Sequence, residues 1–446
     1  MSIVTIIRQK LRRYPALNSE FLHNILRLVA GNFAAQLLTL LAYPFLTRLY
    51  APADMGVLAF VSTAAVILSP LVALRYEMAL PLAGSDEEAG SVLAVCFVTL
   101  CATTALIALA LWLAPLSAFA RFGTIAPYRM FLPLSMFAFG AYTIVTYEAT
   151  RLSRFSDIAR TRIFQALNGP LVQIVLGALH VGKIGLLIGF IVGQGAGTLG
   201  LSRKLVFGAH SPLRQVTLKS AKAAAFKYRH FALFSSWSGV FSFGASALTT
   251  LLLTLLYGPV VGGYLFLGER VLVRPMGLLT MSFLQVFMME AGKAARERPE
   301  ELRRLFLSIT KKQFVISTLW IGSIVLGAPY VIPLAFGNQW DSASIYIQVI
   351  GLAFFPSSIA NSVMFTLQLI GKQKLAAGLD VVRFCLVLLS LVTAYWLGAT
   401  PLQALFASSA VLAVTQGIIL VIMYLAVDRI SRAPRFRLAN SETPVQ

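Results

Sequence analysis

Charged side chains are scarce. Lys, Arg, Asp and Glu make up 12% of the 446 residues, about half the roughly 25% of an ordinary soluble domain. With 58% of the residues hydrophobic, a water-soluble fold is excluded, because too little polar surface remains to cover an apolar core. Cysteine is nearly absent, and Cys96, Cys101 and Cys385 all fall inside apolar runs, which argues against a disulfide framework or a thiolate metal site. His23, His180, His210 and His230 sit near run ends or in connecting segments without ligand spacing, so no metal site is expected. No Gly-Lys-Ser/Thr phosphate loop occurs, which leaves intrinsic ATP hydrolysis unsupported. Gly195, Gly197 and Gly200 form a GxGxxG inside an apolar run with no strand before it. The repeat of Gly185, Gly189, Gly193 and Gly197 every four residues reads better as a helix-packing stripe. No cofactor is expected.

What the chain does contain is apolar runs of about 20 residues, each long enough to cross a hydrocarbon core about 30 Å thick. Twelve are expected: Ile25–Leu49, Gly56–Leu80, Ala89–Leu113, Tyr128–Ala149, Ile158–His180, Ile184–Leu201, Phe231–Leu256, Val261–Met289, Gln313–Leu334, Ile345–Ile370, Leu375–Leu397 and Leu402–Val427. They are apolar on all sides, which excludes membrane strands of about 10 alternating residues. The expected fold class is an all-α membrane protein.

The formal net charge is +20, and its placement points away from nucleic acid. Basic residues crowd alternate connections: four at Arg8 to Arg13, three at Arg151 to Arg160, seven at Arg203 to Arg229, seven at Lys293 to Lys312, two at Lys372 and Lys374, and four at Arg429 to Arg437. The opposite connections hold chiefly Arg121 and Lys183. This asymmetry places both termini in the cytoplasm. The N-terminal basic segment leads into a full-length span, which is not the pattern of a cleavable signal. Residues 2 to 13 alternate Ile3, Ile6, Ile7 and Leu11 with basic residues, as an interfacial helix does. One connection on the basic side, GSDEEAG at 84 to 90, is acidic; its Ser85 and Glu88 have capping-box spacing.

A short stretch is written twice. LTRLYAPADMGVL (46–58) and LTLLYGPVVGGYL (253–265) share seven of thirteen positions at an offset of 207 residues. The copies fall after the first and the seventh run, so the chain divides into two six-helix lobes running in the same direction, a parallel-repeat plan. The boundaries expected are an N-terminal lobe at 1–202, a cytoplasmic linker at 203–230, a C-terminal lobe at 231–428 and a basic tail at 429–446, with a central cavity between the lobes. Pro52 and Pro259 suit the first turn of the helix that follows each hairpin.

Charges inside apolar runs are costly and face a partner or a cavity. Glu269, Arg270 and Arg274 lie in the eighth run, and four-residue spacing puts both arginines on one helix face. Counted from Val261 they lie roughly 14 and 20 Å deep. Such a pair repels unless an anion or an acid sits between, so it reads either as a phosphate clamp or as a structural pair neutralised by Glu269 and acids on other helices. Arg48, Arg75 and Glu77 lie nearer run ends, where arginine can also snorkel. Asp380 and Arg383 are spaced to pair with each other. Arg162, Gln165 and Gln173 give the fifth run a polar face, Asn168-Gly169-Pro170 a candidate kink, and Ser238, Ser242, Ser246 and Thr249 a hydroxyl stripe on the seventh.

YPFLTRLYAPADMGVLAF (43–60) followed by ALRYEMALPLAGSDEEA (73–89) resembles the N-terminal signature of the polysaccharide biosynthesis family, the lipid-linked oligosaccharide flippases of the multidrug/oligosaccharidyl-lipid/polysaccharide exporter superfamily. About 50 residues carry the match, and the rest agrees through its twelve spans. The resemblance implies a flippase of the bacterial inner membrane that moves undecaprenyl-pyrophosphate-linked repeat units outward for O-antigen, capsule or exopolysaccharide assembly. It also implies a V-shaped cavity whose arginines hold the anionic carrier, with a polysaccharide polymerase and chain-length machinery as partners. By motif it assigns Arg48, Arg75 and Glu77 to substrate; Arg270, Arg274, Arg162 and Gln165 rest on position. Glu77, Glu148, Asp380 and Glu269 are the candidates for ion coupling. The competing readings are a cation or drug antiporter of the same superfamily, disfavoured by a basic mid-membrane excess; a membrane polymerase or ligase, disfavoured by short outer loops; and a scaffold.

Overall fold

The computed structural model describes residues 19–115, 125–206, 212–297 and 299–432, all helix, turn or coil. The expected interfacial helix at 2–13, most of the 114–127 connection and the end of the basic tail lie outside the described residues. In chain order the first lobe contains α1 (Ser19–Leu49), α2 (Pro52–Val72), α3 (Asp86–Leu113), α4 (Phe131–Arg151), α5 (Phe155–Ala178), α6 (Lys183–Gly195) and the short α7 (Thr198–Leu205). Helix α8 (Leu218–Lys227) connects to the second lobe: α9 (Ser236–Tyr257), α10 (Pro259–Gly268), α11 (Arg274–Glu297), α12 (Pro299–Phe336), α13 (Ala343–Asn361), the single turn α14 (Thr366–Leu369), α15 (Gln373–Trp396) and α16 (Pro401–Arg432). Twelve spans result once α6 with α7, α10 with α11, and α13 with α14 are joined. Among the described residues eight are long and apolar enough to cross a membrane by composition alone. Among the others, α5 falls short because Arg160, Arg162, Gln165, Asn168 and Gln173 interrupt it.

Several expected spans are broken, each at an identifiable residue. The second was expected to run helically to Leu80. Instead α2 stops at Val72, and Leu74 and Arg75 take left-handed backbones, φ 49° and 58°, before a 3₁₀ turn at Tyr76–Leu82. Left-handed conformations are strained for residues with a Cβ. The sixth breaks at Gly197, φ +75°, so the GxGxxG is a helix break where only glycine fits cheaply. Helix α12 begins at Pro299, well before its apolar run, and so projects beyond the bilayer.

The glycine stripe packs as expected. Gly193 on α6 meets Gly169 on α5 at backbone distance, and a Cβ at Gly189 would strike Gln173. Gln173 closes the seam by donating from Nε2 to the Leu186 carbonyl at 3.0 Å.

The two written-twice hairpins face each other. A Cβ on Gly56 would collide with the Pro259 carbonyl, and one on Gly263 with the Pro52 carbonyl. Since Gly56 matches Gly263 and Pro52 matches Pro259 at the same offset, the contact is reciprocal and lies on the axis relating the lobes. Around it Tyr43, Leu46, Tyr50, Met55 and Leu58 of the first lobe share one core with Phe266, Ile332, Phe336, Trp340 and Ile347 of the second. Toward the linker end the clusters divide: one holds α2, α3 and α4 with α8, and another holds α11, α12, α13 and α16. The lobes are therefore sealed at the hairpin end, and near the linker end of α2 they touch again where Pro70 and Arg75 meet Gly239 of α9.

Candidate functional site

Pro275 shapes the site. It has no N–H for the carbonyl four residues before it, and its ring crowds that carbonyl. The helix answers by widening into a π turn at Glu269–Val273, in which the Arg274 N–H reaches back to the Glu269 carbonyl. Such turns are rare and concentrate at functional positions. Trp320 of α12 donates its indole N–H to the Leu272 carbonyl at 3.2 Å, holding the widened stretch. Glu269, Arg270 and Arg274 all sit on this turn or its edge.

Arg270 lies against an aromatic wall supplied by both lobes, 4.7 Å from the Phe266 ring centroid and 5.9 Å from that of Tyr43. Its Nε is buried with no hydrogen-bond partner among the described residues. Arg274 is exposed to solvent-sized access yet lies within Coulombic range of Arg270, Glu269 and Tyr43. Glu269 turns aside: it accepts a hydrogen bond from Thr250 of α9, and among the described residues it makes no ion pair with either arginine. Glu269 nevertheless stays within Coulombic range of Arg274. Arg270 and Arg274 thus lie within Coulombic range of each other, and the Arg270 Nε has no hydrogen-bond partner among the described residues.

A second charged cluster lies at the linker end of α2. Arg75 sits 5.5 Å over the Phe243 ring of α9, reaches Met78 Sδ at 3.7 Å, and would be touched by any side chain at Gly239. Its Nε and the Oε2 of Glu77 are both buried without partners among the described residues. Arg75 and Glu77 lie just past the end of the 21-residue α2, so a full helix length separates them from the hairpin at Pro52.

The remaining expected residues are dispersed. Arg48 is exposed in the last turn of α1, away from Tyr43. Arg162 donates to the Tyr142 hydroxyl at 3.2 Å, and Gln165 donates to the Gln194 carbonyl at 2.7 Å, bridging α5 to the break in α6. Glu148 is fully buried and gripped by Arg151 through two contacts of 2.7 and 2.9 Å, while Arg151 also reaches Asp86 at 2.8 Å. Asp380 pairs with Arg383 at 2.9 Å. Asp54, one of the charges distinguishing the first hairpin, accepts from the Ala51 N–H at 3.1 Å and lies 3.8 Å from Lys183. No group of three or more His, Cys, Asp or Glu that could hold a metal occurs among the described residues. Sequence reasoning did not single out Tyr43, Phe266 or Thr250, since aromatics and threonines inside an apolar run carry no contrast.

The sequence profile of a family described as polysaccharide biosynthesis protein matches residues 45–345. No curated protein sequence matches. Among solved structures the chain is similar to the lipid II flippase MurJ in an inward closed conformation, at 14% identity and a TM-score of 0.62, covering 91% of this chain and 90% of that one. It is also similar to an inward-facing multidrug resistance MATE family transporter of the MOP superfamily, at 16% identity and a TM-score of 0.57, covering 96% and 99%. At identities this low the likeness shows the fold alone, a two-lobe all-helical membrane architecture.

Proposed function

The chain belongs to the polysaccharide biosynthesis protein family, and from that premise we propose that it is a flippase for lipid-linked oligosaccharides, moving a polyprenyl-pyrophosphate-linked repeat unit across the inner membrane by alternating access. The observation that carries the reading is the pair Arg270 and Arg274, the first within the π turn and the second at its edge, with no ion pair to an acid among the described residues. A pyrophosphate offers acceptor oxygens that suit two guanidinium forks, and the apolar walls leave them little competition from water. Arg75 and Glu77, deeper toward the linker, meet the carrier when the linker end closes. The prenyl tail stays in lipid while the sugars pass through the cavity. With the linker side cytoplasmic, outward movement of the anion is favoured by about 2.3 kcal/mol per charge per 100 mV of inside-negative potential. The polymer served is O-antigen, capsule or exopolysaccharide, with a polymerase and its chain-length machinery downstream. The protein itself performs no covalent step.

Coupling to a proton or sodium ion is assigned to Glu77, because Glu148 and Asp380 are already held by arginines and Glu269 by Thr250. Glu77→Gln should abolish any dependence of transport on an ion gradient; an unchanged dependence removes Glu77 from that role.

The test of the whole reading is translocation in proteoliposomes carrying a fluorescent polyprenyl-pyrophosphate sugar, followed by its accessibility to an external reagent. Flipping by the wild type that is lost in folded Arg270→Ala/Arg274→Ala supports flippase and clamp together. Survival of flipping discards the clamp, and absence of wild-type flipping with every lipid-linked sugar tried discards the flippase.

A further inference from the structure

The segment between the lobes was expected to be a connector, and part of it is instead a surface helix docked on the first lobe. Thr217 and Ser220 cap α8 reciprocally, at 3.1 and 3.0 Å, which fixes where the helix starts. Its inner face is made of alanines: Ala224 is buried, Ala221 and Ala225 are partly so, and Tyr228 follows at the same spacing. Small side chains allow a close approach to α3. Three contacts pin the segment there. The Pro212 carbonyl lies against Gly90, the Tyr76 hydroxyl donates to the Ala225 carbonyl at 3.1 Å, and Lys227 pairs with Glu88 at 2.5 Å.

The outer face has a different chemistry. Leu218 and Phe226 are 75% and 69% exposed, eight residues apart, with the exposed Lys222 midway between them and the exposed Lys219 beside them. Arg229 folds its guanidinium over the Phe226 ring, 3.8 Å from the centroid. No acidic residue lies on α8, and Glu88 beneath it is occupied by Lys227. The helix is docked where α3 begins its apolar run at Ala89 and Gly90, so it lies at the level of the membrane boundary. Apolar side chains among lysines on a helix lying at that depth have the composition of an interfacial helix, and cationic residues there attract anionic headgroups.

We propose that the outer face of α8 is a binding surface for anionic phospholipid headgroups, with Leu218 and Phe226 entering the acyl boundary and Lys219, Lys222 and Arg229 meeting phosphate. The surface belongs to the first lobe and anchors that lobe to the bilayer.

The experiment uses the full chain with Cys96, Cys101 and Cys385 changed to Ala and a fluorophore attached through Ala223→Cys, reconstituted in phosphatidylcholine vesicles containing phosphatidylglycerol. Headgroup-spin-labelled phosphatidylglycerol is compared with headgroup-spin-labelled phosphatidylcholine as quencher. Enrichment of the anionic quencher by about fivefold per lysine is expected, lost in Lys219→Gln/Lys222→Gln, retained in Lys219→Arg/Lys222→Arg, and weakened by salt. Equal quenching by the two lipids, enrichment that survives the Gln pair, or no quenching by either would each overturn the proposal.

Discussion

Arg270 illustrates how one side chain can be specified by what it leans on as much as by its charge. Its guanidinium carbon lies 4.7 Å from the Phe266 ring centroid and 5.9 Å from that of Tyr43, and a planar guanidinium can stack on such rings in a way that an ammonium group cannot. Arg270→Lys should therefore behave almost like Arg270→Ala, lowering transport at least tenfold in the proteoliposome assay while the protein still folds. A lysine that restores wild-type transport would show that only the charge is used. Gly56 and Gly263 make a second residue-scale case, because each lies against the carbonyl of the other hairpin's proline. Gly56→Ala and Gly263→Ala should loosen the hairpin end alike, lowering the thermal midpoint by similar amounts. A large loss from one and none from the other would contradict the reciprocal contact. The arginines were readable from sequence because a charge in an apolar run stands out against its surroundings. Their aromatic supports were not, because Tyr43 and Phe266 look like any other lipid-soluble side chain until the lobes are brought together.

At the scale of elements, the positions of the spans were readable and their interruptions were not. Hydropathy counts apolar residues, and it cannot register that Pro275 widens a turn, that Gly197 breaks α6 from α7, or that two left-handed residues end α2 at Arg75. The glycine stripe was readable, since its four-residue period survives in the contacts between α5 and α6. The docking of α8 was hidden because its partners are far apart in sequence. Glu88 holds that strap, and the hydrogen bond from Lys227 holds its pKa below the ordinary carboxylate value, with smaller help from the Gly84 N–H. A carboxyl with a depressed folded value adds stability above its unfolded value near 4.3 and loses it as pH falls through the lower folded one. The protection factors for amide exchange across 218–228, corrected for the intrinsic rate at each pH, should therefore be high at neutral pH and fall as pH drops below about 4. Glu88→Gln should show the faster exchange already at pH 7. Equal protection in the variant at neutral pH would assign the strap to Tyr76 and Gly90 instead.

For the whole molecule, the repeated hairpin proved to be more than a trace of duplication, because both copies meet on the axis between the lobes and close one end of the cavity. That closure has a specific lock. In the turn Asn338–Trp340 of the second lobe, Gln339 and Trp340 both donate to the Thr47 carbonyl of the first, at 2.5 and 2.9 Å, and the Trp340 ring is fully buried in the shared core. Opening toward the hairpin side must break both bonds, whereas opening toward the linker leaves them intact. A hydrogen bond of this kind contributes about 1 kcal/mol net, so removing one donor should shift the balance toward the hairpin-open state by roughly fivefold. Gln339→Ala removes one donor with little change in packing. Trp340→Phe removes the other at the cost of some ring volume, so the two together should shift the balance by more than either alone. Spin-label distances across the hairpin end, between the loops after α1 and after α12, should show a longer population that grows in that order. Distances that stay at the wild-type value in the double variant would mean that the reciprocal glycine contact, and not this lock, sets which side of the cavity is open.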